Sequence, residues 1–293
     1  MNQTTAGSRL SPALAGALCM VTAGAVFALV NISVQWLAMK HGMNAGSIAF
    51  WQYLLALVAA LPWVVRQGLS SLRTHHAGWH VLRVLLAAAG VQFWVLGLAH
   101  VPVWQAIALV MTSPFFVTAG AGLLLGETVG RTRWLAVLTG FAGGMIILAP
   151  WSERFDVAAI WPLLAAAFWA GSTLVMKRLT GEEEADRVTL YLLLLLTPIN
   201  AFVASFQGFA LPPDGAWPLV LMTGMLTVLA QYMLARAYER ADASYLQPFD
   251  HLKLPMNVFL GFIVFGWMPD GSMWPGAAIV VAASVWIMHE ERA

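Results

Sequence analysis

Ten apolar stretches, each long enough to cross a bilayer, alternate along this chain with short polar punctuation. They fall at about 12–39, 45–65, 79–99, 103–125, 132–150, 158–177, 187–207, 216–238, 242–266 and 273–289; about 20 mostly apolar residues make a span. The punctuation is turn chemistry: HGMN at 41–44, AHVP at 99–102, LPPDG at 211–215 and MPDG at 268–271. Pro, Gly, Asn and Asp are the residues that tight turns require. Two connections are longer, 66–78 and the charged KRLTGEEEADR at 177–187. No connection has room for a soluble domain. The pattern predicts an all-α membrane protein with ten transmembrane helices. The first apolar run, Pro12 to Met39, is far longer than the core of a signal peptide, about 7–15 residues, so it reads as a span that stays.

Composition agrees with lipid. The 293 residues are 60% hydrophobic and 10% charged, with mean hydropathy +0.76, against roughly 25% charged in a soluble domain. A net charge of +1 with no basic cluster gives nothing to track phosphates, so no nucleic-acid partner is expected. The one cysteine, Cys19, lies in an apolar run and reads as a small buried side chain.

The distribution of Lys and Arg orients the spans. With the N-terminus in the cytoplasm, twelve of them, among them Arg66, Arg83, Arg133, Lys177 and Arg236, fall on the inner side. Only Lys40 and Arg154 fall outside, and Lys253 lies within a span. Such a positive-inside bias predicts both termini in the cytoplasm of a bacterial inner membrane. A miscount of the middle spans would scramble it.

The chain also repeats. The stretch from Gly97 through GETVGRTRW resembles the stretch from Ala237 through FGWMPDGSMW at an offset of 140 residues, which aligns Gly126 with Gly266 and Trp134 with Trp274. VFALVN (26–31) matches FWAGST (168–173) more weakly. Two five-span halves, 12–150 and 158–289, enter the membrane from opposite sides because five is odd. That is an inverted repeat, which places a site between the halves near the midplane.

These residues resemble the EamA-type domain of the drug/metabolite transporter superfamily. The carriers are LLLGE with Trp134 in the first half and YLQPFDHLKLP…FG, from Tyr245 to Gly266, in the second. The resemblance covers nearly the whole chain and implies ten helices, both termini inside, and transport of small organic molecules. Within the superfamily the chain looks most like bacterial aromatic amino acid exporters, by its length, its Trp-rich spans and its PFDHLK-type ninth span. Trp267 stands where the repeat would place a second Glu127, so Glu127 reads as an unpaired residue at a cytoplasmic helix end.

The candidate chemistry centres on LQPFDHLKLP, Leu246 to Pro255. On a helix Gln247, Asp250, Lys253 and Asn257 form one stripe, with His251 beside it. A lone midplane charge is costly, so Asp250 and Lys253 are expected to pair or to face a wet cavity. They read as a structural ion pair or a gating element. His251 is either cavity lining or a packing histidine. Pro248 and Pro255 predict a kink. Other spans supply uncharged polar groups, among them Asn31, Gln92 and Tyr232, with Gln92 and Tyr232 again 140 residues apart. Tyr245 and the deep Trp94 and Trp169 complete the candidate substrate-binding set. Most other tryptophans fit the interfacial belt. Gly140, Gly143, Gly144, Ala282 and Ala283 mark close contacts of the fifth and tenth spans, as scaffold or as a weak dimer contact of an otherwise monomeric protein.

Together these features predict a secondary transporter exporting amino acids, aromatic ones included, by alternating access with little or no ion coupling. A proton-coupled exporter of organic cations is the alternative, but the first span holds no Asp or Glu to carry the proton. A membrane-embedded enzyme is a weaker one. The chain has no HExxH, GxSxG, Walker motif or metal-ligand spacing, so no catalytic residue, metal or cofactor is expected. The acidic run Glu182 to Glu184 with Asp186 reads as a solvated loop.

Overall fold

The computed structural model describes residues 11–67, 73–98, 109–148, 158, 160–266 and 273–290. The turns at 99–102 and 268–271, together with Arg154 and Trp267, lie outside them. The described residues are helical, with no strand among them. The helices are α1 (Pro12–His41), α2 (Ala45–Gln67), α3 (Ala77–Leu98), α4 (Ser113–Leu124), α5 (Arg131–Leu148), α6 (Ile160–Glu182), α7 (Ala185–Phe206), α8 (Trp217–Arg240), α9 (Ala243–Asp250), α10 (Lys253–Phe265) and α11 (Met273–Glu290). A 3-10 turn, Asp214–Ala216, precedes α8. Five helical stretches are long and apolar enough to cross a bilayer: α1, Gly46–Trp63 of α2, α6, α7 and Asp214–Arg240. Ala77–Val91, Ser113–Leu124 and Trp274–Ala283 are shorter apolar helices.

Local sequence explains the ends. The Ser11 hydroxyl accepts from the Leu14 amide ahead of Pro12, the first residue of α1. Gly42, at φ 64°, closes the same helix by donating its amide to the Leu37 carbonyl. Only a residue without Cβ enters that conformation freely.

Two expectations need correction. The run 177–187 is not a long loop: α6 continues to Glu182 and α7 starts at Ala185. Glu183 is buried at 7% exposure, and its carboxylate accepts from Thr74 and contacts His80 Nε2 at 2.9 Å. Glu182 meets His76 at 2.9 Å. A sequence window sees an acidic run and no partner, because both histidines lie about a hundred residues upstream.

The ninth span is not one kinked helix but two. It breaks at His251–Leu252. Pro255 has no amide to give the His251 carbonyl, and its ring would clash there. The carbonyl accepts instead from the Leu254 amide at 3.1 Å, and the Phe249 carbonyl from Leu252 at 3.1 Å. The fourth span breaks at Met111–Thr112, just before Pro114. There the Leu109 carbonyl accepts from the Thr112 amide at 3.0 Å.

Packing places α1 against α8, α3 against α6, α5 against α11, and α2 against α7 and α8; α1 also meets α10, and α6 meets α4. Gly143 marks the close α5–α11 crossing, where an added Cβ would sit 2.8 Å from the Gly276 carbonyl. The largest core cluster joins the start of α1 (Ala17, Met20) to the ends of α4, α6 and α8 and to α9. These helix ends share one side of the molecule, called here the near side. On the far side the described core divides into smaller clusters, one around Leu37, Ile48 and Val220, another around Met111 and Leu254. Outward faces carry large apolar side chains such as Leu123, Phe202 and Trp274, as lipid contact requires.

Candidate functional site

The break in the ninth span sits against α1. Gly24 of α1 lies under Lys253, where an added Cβ would be 3.5 Å from the lysine Cβ. That close approach builds one hydrogen-bonded string. Lys253 Nζ donates to Asp250 Oδ2 at 2.6 Å. The Lys253 carbonyl accepts from Asn257 Nδ2 at 2.6 Å. Asn257 Oδ1 accepts from Asn31 Nδ2 at 3.0 Å. The string runs from α9 through α10 to α1. The Lys253 and Asp250 side chains are 30% and 19% exposed, so the pair borders open space rather than packed core. Further along the same seam Trp36 of α1 meets Phe265 of α10 at 5.8 Å between ring centres.

Other candidates lie elsewhere. His251 is buried at 1% exposure against α5, where an added Cβ on Gly140 would fall 2.6 Å from its Cδ2. Among the described residues neither ring nitrogen makes a hydrogen bond of good geometry, although the Val137 backbone lies near the ring. The ring points toward the scaffold, away from the α1 side that Lys253 faces. Tyr232 is drawn toward the near side: its hydroxyl accepts from Arg236 Nε at 2.9 Å, and the guanidinium lies 5.2 Å from its ring centre. Tyr245 is buried at 2% exposure and meets Phe249 edge-on at 5.4 Å within the near-side core. Trp94 and Trp169 meet at 6.0 Å, with Trp169 seated on Gly90, so they form a separate aromatic group between α3 and α6. The Gln92 side chain lies outside the described residues. Of the sequence candidates, then, the structure gathers Asn31, Asp250 and Lys253 with Asn257, and Trp94 with Trp169.

Two groups escaped the sequence reading, and a third was read there only as one of the uncharged polar residues of the spans. Glu127 is more than a helix-end residue. Its carboxylate accepts from the Ala243 and Ser244 amides at 2.8 and 3.1 Å and from the Ser244 hydroxyl at 2.8 Å. It caps α9 from the other half of the chain, where free amides favour an anion. Beside it Arg133 bonds Asp242 at 3.0 Å and Ser244 Oγ at 2.9 Å, and Lys177 donates to the Tyr238 and Ala241 carbonyls at 2.9 and 2.6 Å. The second group is Arg83, 3% exposed, which donates to the Val188 carbonyl at 2.8 Å and lies near Tyr53. The third is Gln52, whose amide donates to Thr227 Oγ1 at 3.0 Å across α2 and α8. The only sequence signal was Glu127's place in the LLLGE motif; contacts spanning a hundred residues leave no local pattern.

Chemically the string is a set of amides beside a neutralised ion pair. It can bind a solute through donors and acceptors without net charge. Among the described residues no group of three His, Cys, Asp or Glu could hold a metal ion.

Comparison with known proteins fits a membrane carrier. The model of the EamA-like transporter family matches twice, at residues 14–149 and 156–289. A protein named riboflavin transporter from Rhizobium johnstonii is 52% identical over 291 residues, 99% of this chain and 96% of the relative. Another of that name, from Vibrio cholerae, is 48% identical and covers 95% of this chain and 94% of its own. A crystal structure with a TM-score of 0.81 and 17% identity covers 97% of this chain and 99% of that one, which shows the shared fold. These relatives overturn the expectation of amino acid export, and with it the likeness to aromatic amino acid exporters. Both finer readings rested on length, tryptophan content and one motif, which describe the common scaffold more than the solute. With its length matched in two copies and relatives near half identical from end to end, this multi-pass membrane protein belongs to the EamA-like transporter family.

Proposed function

We propose that this protein carries riboflavin across a bacterial inner membrane, with the solute held between two inverted five-span halves. The observation that carries the reading is the near-complete coverage at 52% and 48% identity by relatives named for riboflavin. The site suits such a solute. Riboflavin has no net charge, a flat tricyclic ring with an imide at one end, and a polyhydroxyl side chain. Amides at Asn31 and Asn257 offer it donors and acceptors, the Asp250–Lys253 pair cancels its own charge, and Trp36 and Phe265 lie along the same seam.

Several features support the inverted arrangement. The breaks at 111–112 and 251–252 are 140 residues apart, as are Gly126 and Gly266 with φ of 69° and 70° just past α4 and α10. Exchanging the halves turns the α1–α8 contact into α6–α3, and α1–α10 into α6–α4. Broken helices at matching places in two halves point to a midplane site. If the near side is cytoplasmic, as the Lys and Arg bias suggests, this conformation is closed to the cytoplasm by the core around Met20, Leu179 and Phe249 and by the Glu127 cap.

The test is binding. Purified protein in detergent should quench riboflavin fluorescence saturably, and excess unlabelled phenylalanine or an organic cation should leave the quenching in place. Absence of saturable quenching, or its reversal by phenylalanine, would count against riboflavin as the solute.

A further inference from the structure

We infer that the Asn31–Asn257 amide pair recognises the imide edge of the flavin ring, so that the site selects solutes with a free imide N–H. The inference rests on the riboflavin reading above and names the contact that would give it specificity.

The orientation of both amides follows from which atoms can donate. The Lys253 carbonyl can only accept, so the group 2.6 Å from it is the Asn257 nitrogen. Asn257 therefore turns its oxygen toward α1. That oxygen can only accept, so the Asn31 group at 3.0 Å is again the nitrogen. By elimination the Asn31 oxygen points away from the string, and among the described residues the hydrogen bond of this side chain is the one its nitrogen makes to Asn257. Asn31 is exposed although it lies well inside the 30-residue α1. An amide oxygen facing hydrocarbon without a donor is costly, and Asn31 faces the α10 seam, where Lys253 and Asp250 are also partly open. The open space on this seam is thus a polar one, with an acceptor held at its edge.

One fixed acceptor beside one spare N–H is what an imide matches. The ring N–H donates to the Asn31 oxygen, and a flanking ring carbonyl accepts the remaining Asn31 hydrogen. The two bonds run parallel, as in amide recognition of a base edge. The Lys253 backbone carbonyl orients Asn257, and the Asp250–Lys253 side-chain pair leaves no net charge beside an uncharged ring. Trp36 stands about 7.5 Å further along α1 but about 140° round it from Asn31, and its side chain reaches back to Phe265 of α10, along the seam a tricyclic ring would occupy. Its contact with Phe265 offers the apolar end of that ring a stacking surface. Asn257 is the positioning residue here, and Asn31 makes the contact.

The experiment is counterflow in liposomes carrying the purified full chain. Labelled riboflavin is supplied outside, unlabelled riboflavin inside, and riboflavin or N3-methylriboflavin as competitor. In the unsubstituted protein the methylated flavin should compete at least about tenfold more weakly, the worth of one lost hydrogen bond with its partner left unpaired. In Asn31→Leu, riboflavin should weaken by about the same factor while N3-methylriboflavin is unchanged, so the gap closes. Equal competition in the unsubstituted protein overturns the inference and leaves the riboflavin reading standing. A gap that survives Asn31→Leu also overturns it. The first comparison needs no variant, so poor folding of Asn31→Leu does not blunt the test. No riboflavin counterflow at all sinks the riboflavin reading, and this inference with it.

Discussion

At the residue scale the account turns on the Asp250–Lys253 contact. Removing one member leaves a partly buried charge without its partner, which is more damaging than removing both. Asp250→Asn or Lys253→Met alone should destabilise the protein by about 1–3 kcal/mol, while the double variant should lose less than the worse single one. Thermal melting in detergent measures this, and additive losses would show that the contact is not an energetic unit. His251 has the opposite character. Its ring fills the notch left by Gly140, so Gly140→Ala should cost about 1–3 kcal/mol by overpacking, and His251→Ala in the same chain should restore part of that loss. If His251→Ala instead abolished transport and left melting unchanged, the histidine would belong to the cavity. Sequence spacing made the Asp250–Lys253 contact readable, because i and i+3 share a helix face. It placed His251 beside that stripe but could not choose between cavity and packing, because the ring's neighbour is Gly140 of α5, more than a hundred residues away.

At the scale of elements, proline decides where the spans break. The fourth and ninth spans each break inside an apolar run, beside a proline that withholds an amide from the preceding turn. Pro255→Ala allows the His251 carbonyl its ordinary partner and should join α9 to α10. We expect riboflavin binding to survive and the maximal transport rate to fall several-fold, because a continuous helix moves less at the site. A rate unchanged in liposome assays would remove the break from the mechanism. Glu127 acts at this scale as well, by capping α9 from the first half. Glu127→Gln retains an acceptor but loses the charge-assisted bonds, and should lower stability by about 1–2 kcal/mol; a melting temperature equal to that of the unsubstituted protein would contradict the role. The helices themselves were legible because their apolar runs are long and their caps are local, as at Ser11 and Gly42. The break in the ninth span was legible only as a kink, and the cap by Glu127 not at all.

At the scale of the molecule, the arrangement of the halves remains the largest step from sequence to function. Lys40 lies at the far end of α1 and Thr128 just past α4 on the near side. With Cys19 replaced by Ser, a membrane-impermeant maleimide should label Lys40→Cys in intact cells and Thr128→Cys only after lysis. Labelling of both from one side would contradict the three crossings between these positions, and with them the five-span first half on which the inverted arrangement depends. The 140-residue offset was visible because glycine and tryptophan recur at turn and interface positions, where the backbone or the lipid dictates residue type. Composition and span count are shared by carriers of very different cargo, so they could not point to riboflavin, whereas the specificity proposed above rests on a few amides on two helices.

The central claim is that this chain moves riboflavin. Liposomes holding the purified protein and preloaded with unlabelled riboflavin should transiently accumulate labelled riboflavin above its outside level, saturably, and excess phenylalanine should leave that accumulation unchanged. Accumulation no greater than in protein-free liposomes, or accumulation erased by phenylalanine, would contradict it.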